Sequence, residues 1–432
     1  MRPLTDNARV TGAAVARTAL LPFALIVTLF FLWGMANNLN DILITQFKKA
    51  FTLSDFQAGL VQSAFYLGYF LLALPAGVFM RKYGYKGAII VGLVLYGIGA
   101  LLFWPAAQVH TYGLFLLALF VIASGLAFLE TSANPFVTVL GPKESAAGRL
   151  NLAQAFNPLG SITGVVIGQH FIFSGVEHTS AQLASMTVAA RDAYFLTESR
   201  AVQVPYLIIG IVVLAWALLI AMTRFQTQQT NEEHYAIGGQ LGRLVRHQRF
   251  VFAVVAQFFY VGAQVGIWSY LIRYTQATVP GTSAKAAANF LTISLVVFMI
   301  GRFASAALMR YFTPSRLLAT FAALNLVFCG VAIAFPGQTG IYALVVSSFF
   351  MSLMFPTIFA LGLDGLSDDE RKLGSALVVM AIIGGAILTA AMGAISDAAG
   401  IHIAMVVPLF CFAVILAFAL QARTAATDSA AS

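Results

Sequence analysis

The stretch RFQTQQTNEEHYAIGGQLGRLVRHQ, residues 224–248, divides an otherwise strongly apolar chain. A helix crosses a bilayer with about 20 mostly apolar residues, and runs of that kind recur six times on each side of this segment. Before it they occupy residues 20–45, 56–80, 87–106, 112–140, 150–173 and 202–223. After it they occupy 249–275, 287–312, 315–335, 340–364, 373–396 and 401–422. The pattern predicts an all-α membrane protein with 12 transmembrane helices in two six-helix halves. Its expected parts are an arm (1–18), a first half (19–223), the linker (224–248), a second half (249–422) and a tail (423–432). The arm carries Arg2, Arg9 and Arg17. The apolar run behind it is too long for a secretory signal core, and no convincing small-residue cleavage site follows. It reads as a retained first span.

Composition excludes several classes outright. Of 432 residues, 60% are hydrophobic and 9% charged, against ~45–50% and ~25% in an average soluble domain. With a mean hydropathy of +0.88, this is no ordinary soluble protein, disordered chain or nucleic-acid binder. The formal charge of +8 follows from loop asymmetry. With the N-terminus inside, 17 of the 24 Lys and Arg fall on the cytoplasmic side and six on the other. Cytoplasmic loops collect basic residues, so both termini are expected in the cytoplasm. Residues 174–201 form a polar excursion on the outer side. Cys329 and Cys411 lie inside apolar runs and read as core thiols, not a disulfide.

The 16 carboxylates locate the chemistry. Twelve fall in predicted loops, turns or tails, Glu198, Asp369 and Glu370 among them, and Asp364 and Asp397 lie near span ends. Asp41, in the outer part of span 1, and Glu130, well inside span 4, remain. A charged side chain at a helix centre costs about 2.5–3.5 kcal/mol or more, so these two are expected to face a cavity or a partner. Removing a carboxyl from water favours its neutral form, which suits a group that takes up and releases a proton. The competing reading is a carboxyl satisfied by neighbouring amides with no part in transport.

Around Asp41 the chain reads FLWGMANNLNDILI. Asn37 and Asn38 lie one helical turn from Asp41, and Trp33 lies one turn before Asn37. A ring, amides and an acid on one stripe suit a carbohydrate, whose apolar face stacks while its hydroxyls are bonded. Trp33 reads equally as a packing residue. Span 5 opens RLNLAQAFNPLGSITG, where Gln154 and Asn157, three apart, are read as sharing a face; they either bind the ligand or tie helices together. In span 7, Gln257, Tyr260, Gln264 and Trp268 form a helical stripe that lines a pathway or merely packs. Arg302 is the one basic residue well inside a span. Snorkelling or pairing at an inner gate is expected of it rather than substrate contact. Gly160, Gly164 and Gly168 recur at the four-residue spacing that lets helices approach closely.

No phosphate loop, metal-spaced His/Cys cluster or nucleophile elbow occurs. No cofactor and no metal are therefore expected, and ATP-driven pumping is disfavoured. Two six-span halves around a cytoplasmic linker are the layout of the major facilitator fold, with a site near the midplane. FFLWGMANNLNDILITQFKKAFTLSDFQAGLVQSAFYLGYFLLALPAG (30–77) resembles the fucose/glucose–galactose permease branch of the major facilitator superfamily. GLAFLETSANPFVTVLGP, RLNLAQAFNPLGSITG, AQFFYVGAQVGIWSYLIRY, FPTIFALGL and GGAILTAAMGAISDAAG continue the match. Within the branch it resembles the fucose-transporting members, down to the extended outer loop.

The resemblance implies a non-enzymatic carrier. It implies proton-coupled symport of a neutral monosaccharide, L-fucose first, in the bacterial cytoplasmic (inner) membrane. Its expected partners are the sugar, H⁺ and the lipid bilayer, with no nucleic acid, and a monomer is expected to suffice. It further implies that Asp41 and Glu130 couple proton to sugar and that Asn38, Gln154 and Asn157 line the cavity. The alternatives are another hexose or amino sugar (glucose, galactose, N-acetylglucosamine), sodium coupling or, from a different class, a polytopic glycosyl or acyl transferase. The transferase would need an acid or His at a membrane surface, and the six histidines show no paired spacing. One departure stands out. The loop after span 2 reads GVFMRKYGYK (77–86), without the aspartate many facilitators carry there, so that corner needs another device.

Overall fold

The computed structural model describes residues 24–36, 39, 43, 46–47, 50–51, 55–172, 180–223, 237–282 and 284–431. These residues are helical, with short connections and no strand among them. In chain order the helices are α1 (Ala24–Ala36), α2 (Asp55–Val109), α3 (Tyr112–Val139), α4 (Ala146–Gln154), α5 (Phe156–Ile167), α6 (Ser180–Ser185), α7 (Val188–Arg200) and α8 (Gln203–Met222). After the linker come α9 (Ile237–Arg246), α10 (Gln248–Thr278), α11 (Ala284–Leu308), α12 (Pro314–Ala334), α13 (Gln338–Met351), α14 (Met354–Gly362), α15 (Asp368–Met380), α16 (Gly384–Ala399) and α17 (Val406–Ala431). Nine helical stretches among the described residues are long and apolar enough to cross a membrane, and α1 is a shorter apolar helix.

Hydropathy placed the spans but not their interruptions. Spans 2 and 3, read as separate runs, are two helical segments of α2 that meet in a kink at Gly84, whose φ of 74° and ψ of 174° suit a residue without a Cβ. Span 5 breaks at Ala155 between α4 and α5, so Gln154 and Asn157 do not share one continuous helix face. Pro158 explains the break, because it offers no N–H to the carbonyl of Gln154. Span 10 breaks at Ser352 and Leu353, between α13 and α14. The polar segment before α8 contains α6 and α7, and the linker contains α9.

The chain divides into two compact units. The first comprises Met1–Gly68, Tyr83–Leu129 and Leu159–Gln229. Within it α1 lies against α5 so closely that a Cβ on Gly160 would sit 1.9 Å from the carbonyl oxygen of Phe31. Gly160 and Gly164 thus serve close helix approach, as their spacing suggested. Tyr96 donates to the carbonyl of Leu32, Trp216 donates to that of Leu25 at 3.2 Å, and Phe103 stacks on Tyr206 at 3.8 Å.

The second unit comprises Tyr69–Lys82, Glu130–Pro158 and Thr230–Ser432. In it Tyr260 and Tyr274 of α10 donate to the carbonyls of Met351 and Ala332. Such bonds anchor a long helix to its neighbours without leaving phenols unsatisfied. Cys329 and Cys411 are buried and free, as expected of core thiols.

Candidate functional site

Glu130, one turn before Asn134 on α3, is 1% exposed. Its Oε2 has no hydrogen-bond partner among the described residues, and neither do Thr131 Oγ1 and Asn134 Nδ2. From Asn134 a polar chain continues through α4 to α11 and α10. Gln154 Nε2 donates to Asn134 Oδ1 at 2.9 Å, and Arg302 Nη1 donates to Gln154 Oε1 at 2.7 Å. The Arg302 guanidinium rests over the Phe298 ring at 4.9 Å, and Phe298 meets Trp268 edge-on at 5.0 Å. Trp268 Nε1 in turn donates to Ser348 Oγ at 3.1 Å.

Residues that the sequence placed on spans 4, 5, 7 and 8 therefore form one continuous cluster in the second unit. Arg302 does not snorkel: it is 6% exposed and bonded to Gln154. A long side chain bonded to an amide and stacked on a ring gains more there than by stretching to an interface. Asn157 and Gln264 are half-buried. In the first unit Trp33 is buried beside Phe30, and its Nε1 has no partner among the described residues. Asn37, Asn38 and Asp41 lie outside the described residues.

Sequence reasoning missed three participants. Phe298 links Trp268 to Arg302, but one Phe among 37 carries no signal of its own. Ser348 is equally anonymous. Glu198 was assigned to a loop, yet it lies on α7, almost fully buried, and its carboxylate accepts from Gln46 Nε2 at 2.8 Å. Gln46 Nε2 also reaches the Glu198 backbone carbonyl. The following residue, Ser199, bonds His110 Nδ1 at 3.0 Å, and His110 stacks on Phe51. Burial lowers the His110 pKa, and the charge of Asp192 opposes that shift. Glu198→Leu is expected to lower stability by about 1 kcal/mol, because only the backbone half of the Gln46 bond survives. An unchanged melting temperature would show that the pair contributes nothing.

The corner without an aspartate is served by bases. Arg81, at the end of the helical GVFMR stretch of α2, pairs with Asp369 at 3.5 Å, and Lys372 pairs with the same carboxylate at 3.3 Å. Arg243 of α9 pairs with Glu370 at 3.1 Å. Asp369 and Glu370 were expected in a loop. Both belong instead to the first turn of α15, where acids complement the helix dipole, and Ser367 forms a capping box with Glu370. At this corner α2 offers a cation and α15 the acid.

Residues 23–382 match the family model of the Major Facilitator Superfamily. The chain belongs to that superfamily. Among curated members it is 50% identical to the L-fucose-proton symporter of Escherichia coli K12, over 96% of each chain. It is 38% identical to the glucose/galactose transporter of Brucella abortus biovar 1, over 91% of this chain and 92% of that one. Among solved superfamily structures, the crystal structure of the transporter FucP in the outward conformation matches with a TM-score of 0.88. That match has 50% identity and covers 94% of this chain and 99% of the other. Superfamily membership and the apolar helices make the chain a multi-pass membrane protein, a transporter and not an enzyme.

Proposed function

We propose that this chain carries a neutral monosaccharide, L-fucose first, together with a proton across the bacterial cytoplasmic membrane. The six-helix halves 19–223 and 249–422, joined by the 224–248 linker, rock about a central site as a monomer, with both termini in the cytoplasm. The observation that carries this reading is the series running from half-buried Trp268 through buried Phe298, Arg302, Gln154 and Asn134, with Glu130 one turn beyond. It combines aromatic rings, a fixed cation and amides with unfilled bonding capacity, a set that suits a polyhydroxylated, uncharged ligand. The half-identical L-fucose-proton symporter supports the choice of sugar.

In this mechanism Trp33 stacks on the sugar. Asn37, Asn38, Gln154, Asn157, Gln264 and Trp268 line its path, and Arg302 governs the passage inward. Asp41 takes up the proton from outside, and Glu130, deeper, passes it on. One proton moving down an inward-negative potential supplies about 2.3 kcal/mol per 100 mV. That corresponds to roughly 50-fold accumulation of a neutral sugar.

The test is ionic. L-fucose added to de-energised vesicles should alkalinise the medium, with no requirement for sodium, and Asp41→Asn should remove the response. A silent electrode with the wild type overturns proton symport. Alkalinisation by glucose or galactose but not by L-fucose would move the substrate toward that of the Brucella relative.

A further inference from the structure

Gln257, on α10 one turn before Tyr260, is completely buried. Neither its amide oxygen nor its amide nitrogen has a hydrogen-bond partner among the described residues. Gln46, Asn134, Asn151, Gln154 and Asn325 are buried amides too, yet each bonds at least one protein group. An amide stripped of water and given nothing in return is costly, and a leucine would fill nearly the same space without that cost. The amide therefore earns its place in another state of the carrier.

Its surroundings say which state. Ala253, one turn earlier, packs on Gly362 of α14. Tyr260 donates to the carbonyl of Met351, the last residue of α13, and meets Phe355 of α14. Residues three or four apart share a helix face, so Gln257 looks toward the break at Ser352 and Leu353. Interrupted membrane helices are where carriers place substrate contacts. Tyr260 is also within electrostatic reach of Arg302. Gln257 thus lies about one turn beyond the Arg302–Gln154 layer, on the side away from Trp268.

We infer that Gln257 is a second contact for the sugar, met after the Arg302–Gln154 layer parts, where its carboxamide bonds a vicinal diol. This rests on the sugar-symport reading. A lone cation would satisfy only the oxygen and an anion only the N–H groups. Adjacent hydroxyls offer donor and acceptor together. The contact is made during passage, so it acts on turnover more than on first binding.

The experiment uses the full-length protein, purified for binding and reconstituted for uptake. Q257L should keep or raise the sugar-free melting temperature and bind L-fucose within about threefold of the wild type. It should turn over about tenfold more slowly. A series of L-fucose analogues, each lacking one hydroxyl, gives the chemical readout. The wild type should carry one of them about tenfold more slowly than L-fucose, and in Q257L that penalty should vanish. Turnover of Q257L within twofold of the wild type overturns the inference. So does a deoxy penalty unchanged in the variant, and so does a lowered melting temperature, which would reveal a structural partner. A wild type that neither binds nor moves any monosaccharide overturns the symport reading and this inference with it.

Discussion

Glu130→Gln is expected to abolish accumulation of the sugar while leaving exchange of labelled for unlabelled sugar across the membrane. Glutamine keeps the size and bonding pattern of a protonated carboxyl but has no proton to release. Glu130 is almost fully buried, and its Oε2 has no hydrogen-bond partner among the described residues, so the substitution removes none of the bonds described at that atom. Steps in which the proton stays bound survive, and exchange uses only those. Steps that need the proton released on the far side do not. The roughly 50-fold gradient available per 100 mV should then collapse to equality inside and out. Uptake and counterflow on the same vesicles separate the two behaviours. Wild-type accumulation in the variant would remove Glu130 from the coupling.

Gly160→Ala is expected to be the most damaging single methyl in the first unit. Glycine to alanine in a helix ordinarily stabilises by about 0.5–1 kcal/mol. Here the added Cβ would fall 1.9 Å from the Phe31 carbonyl oxygen and 3.0 Å from the Met35 nitrogen. Both contacts are backbone, so no rotamer change relieves them, and α1 must move away from α5. Overpacking usually costs about 1–3 kcal/mol, and a backbone collision belongs at or above the upper end. Gly113, with nothing within 4 Å of its added Cβ, is the control. Gly113→Ala should leave the melting temperature and uptake intact while Gly160→Ala loses both. Equal behaviour of the two variants would mean that the α1–α5 approach is looser than described.

Much of this molecule is legible in its sequence because a bilayer punishes errors that water forgives. The apolar runs identified the fold class, and sorting the carboxylates by position pointed at Glu130. What escaped was local or distant. The breaks at Ala155 and at Ser352–Leu353 cost no hydropathy, so nothing in a window average marks them. Arg302 finds Gln154 across 148 positions, a pairing invisible to any periodicity. Glu198 was misplaced because α7 carries enough polar residues to read as a loop, although its end is packed against Gln46. The cluster around Asp41, the strongest signal in the sequence, lies outside the described residues.

The two cysteines carry a practical consequence. Both thiols are buried, so the native protein presents no accessible thiol to maleimides or nitroxide reagents. A cysteine placed at a solvent-facing position such as Tyr311, which is 82% exposed, would be the sole reactive handle on an otherwise unaltered background. Distances between pairs of such labels would then test the proposed rocking in real time, with no need for a cysteine-free parent.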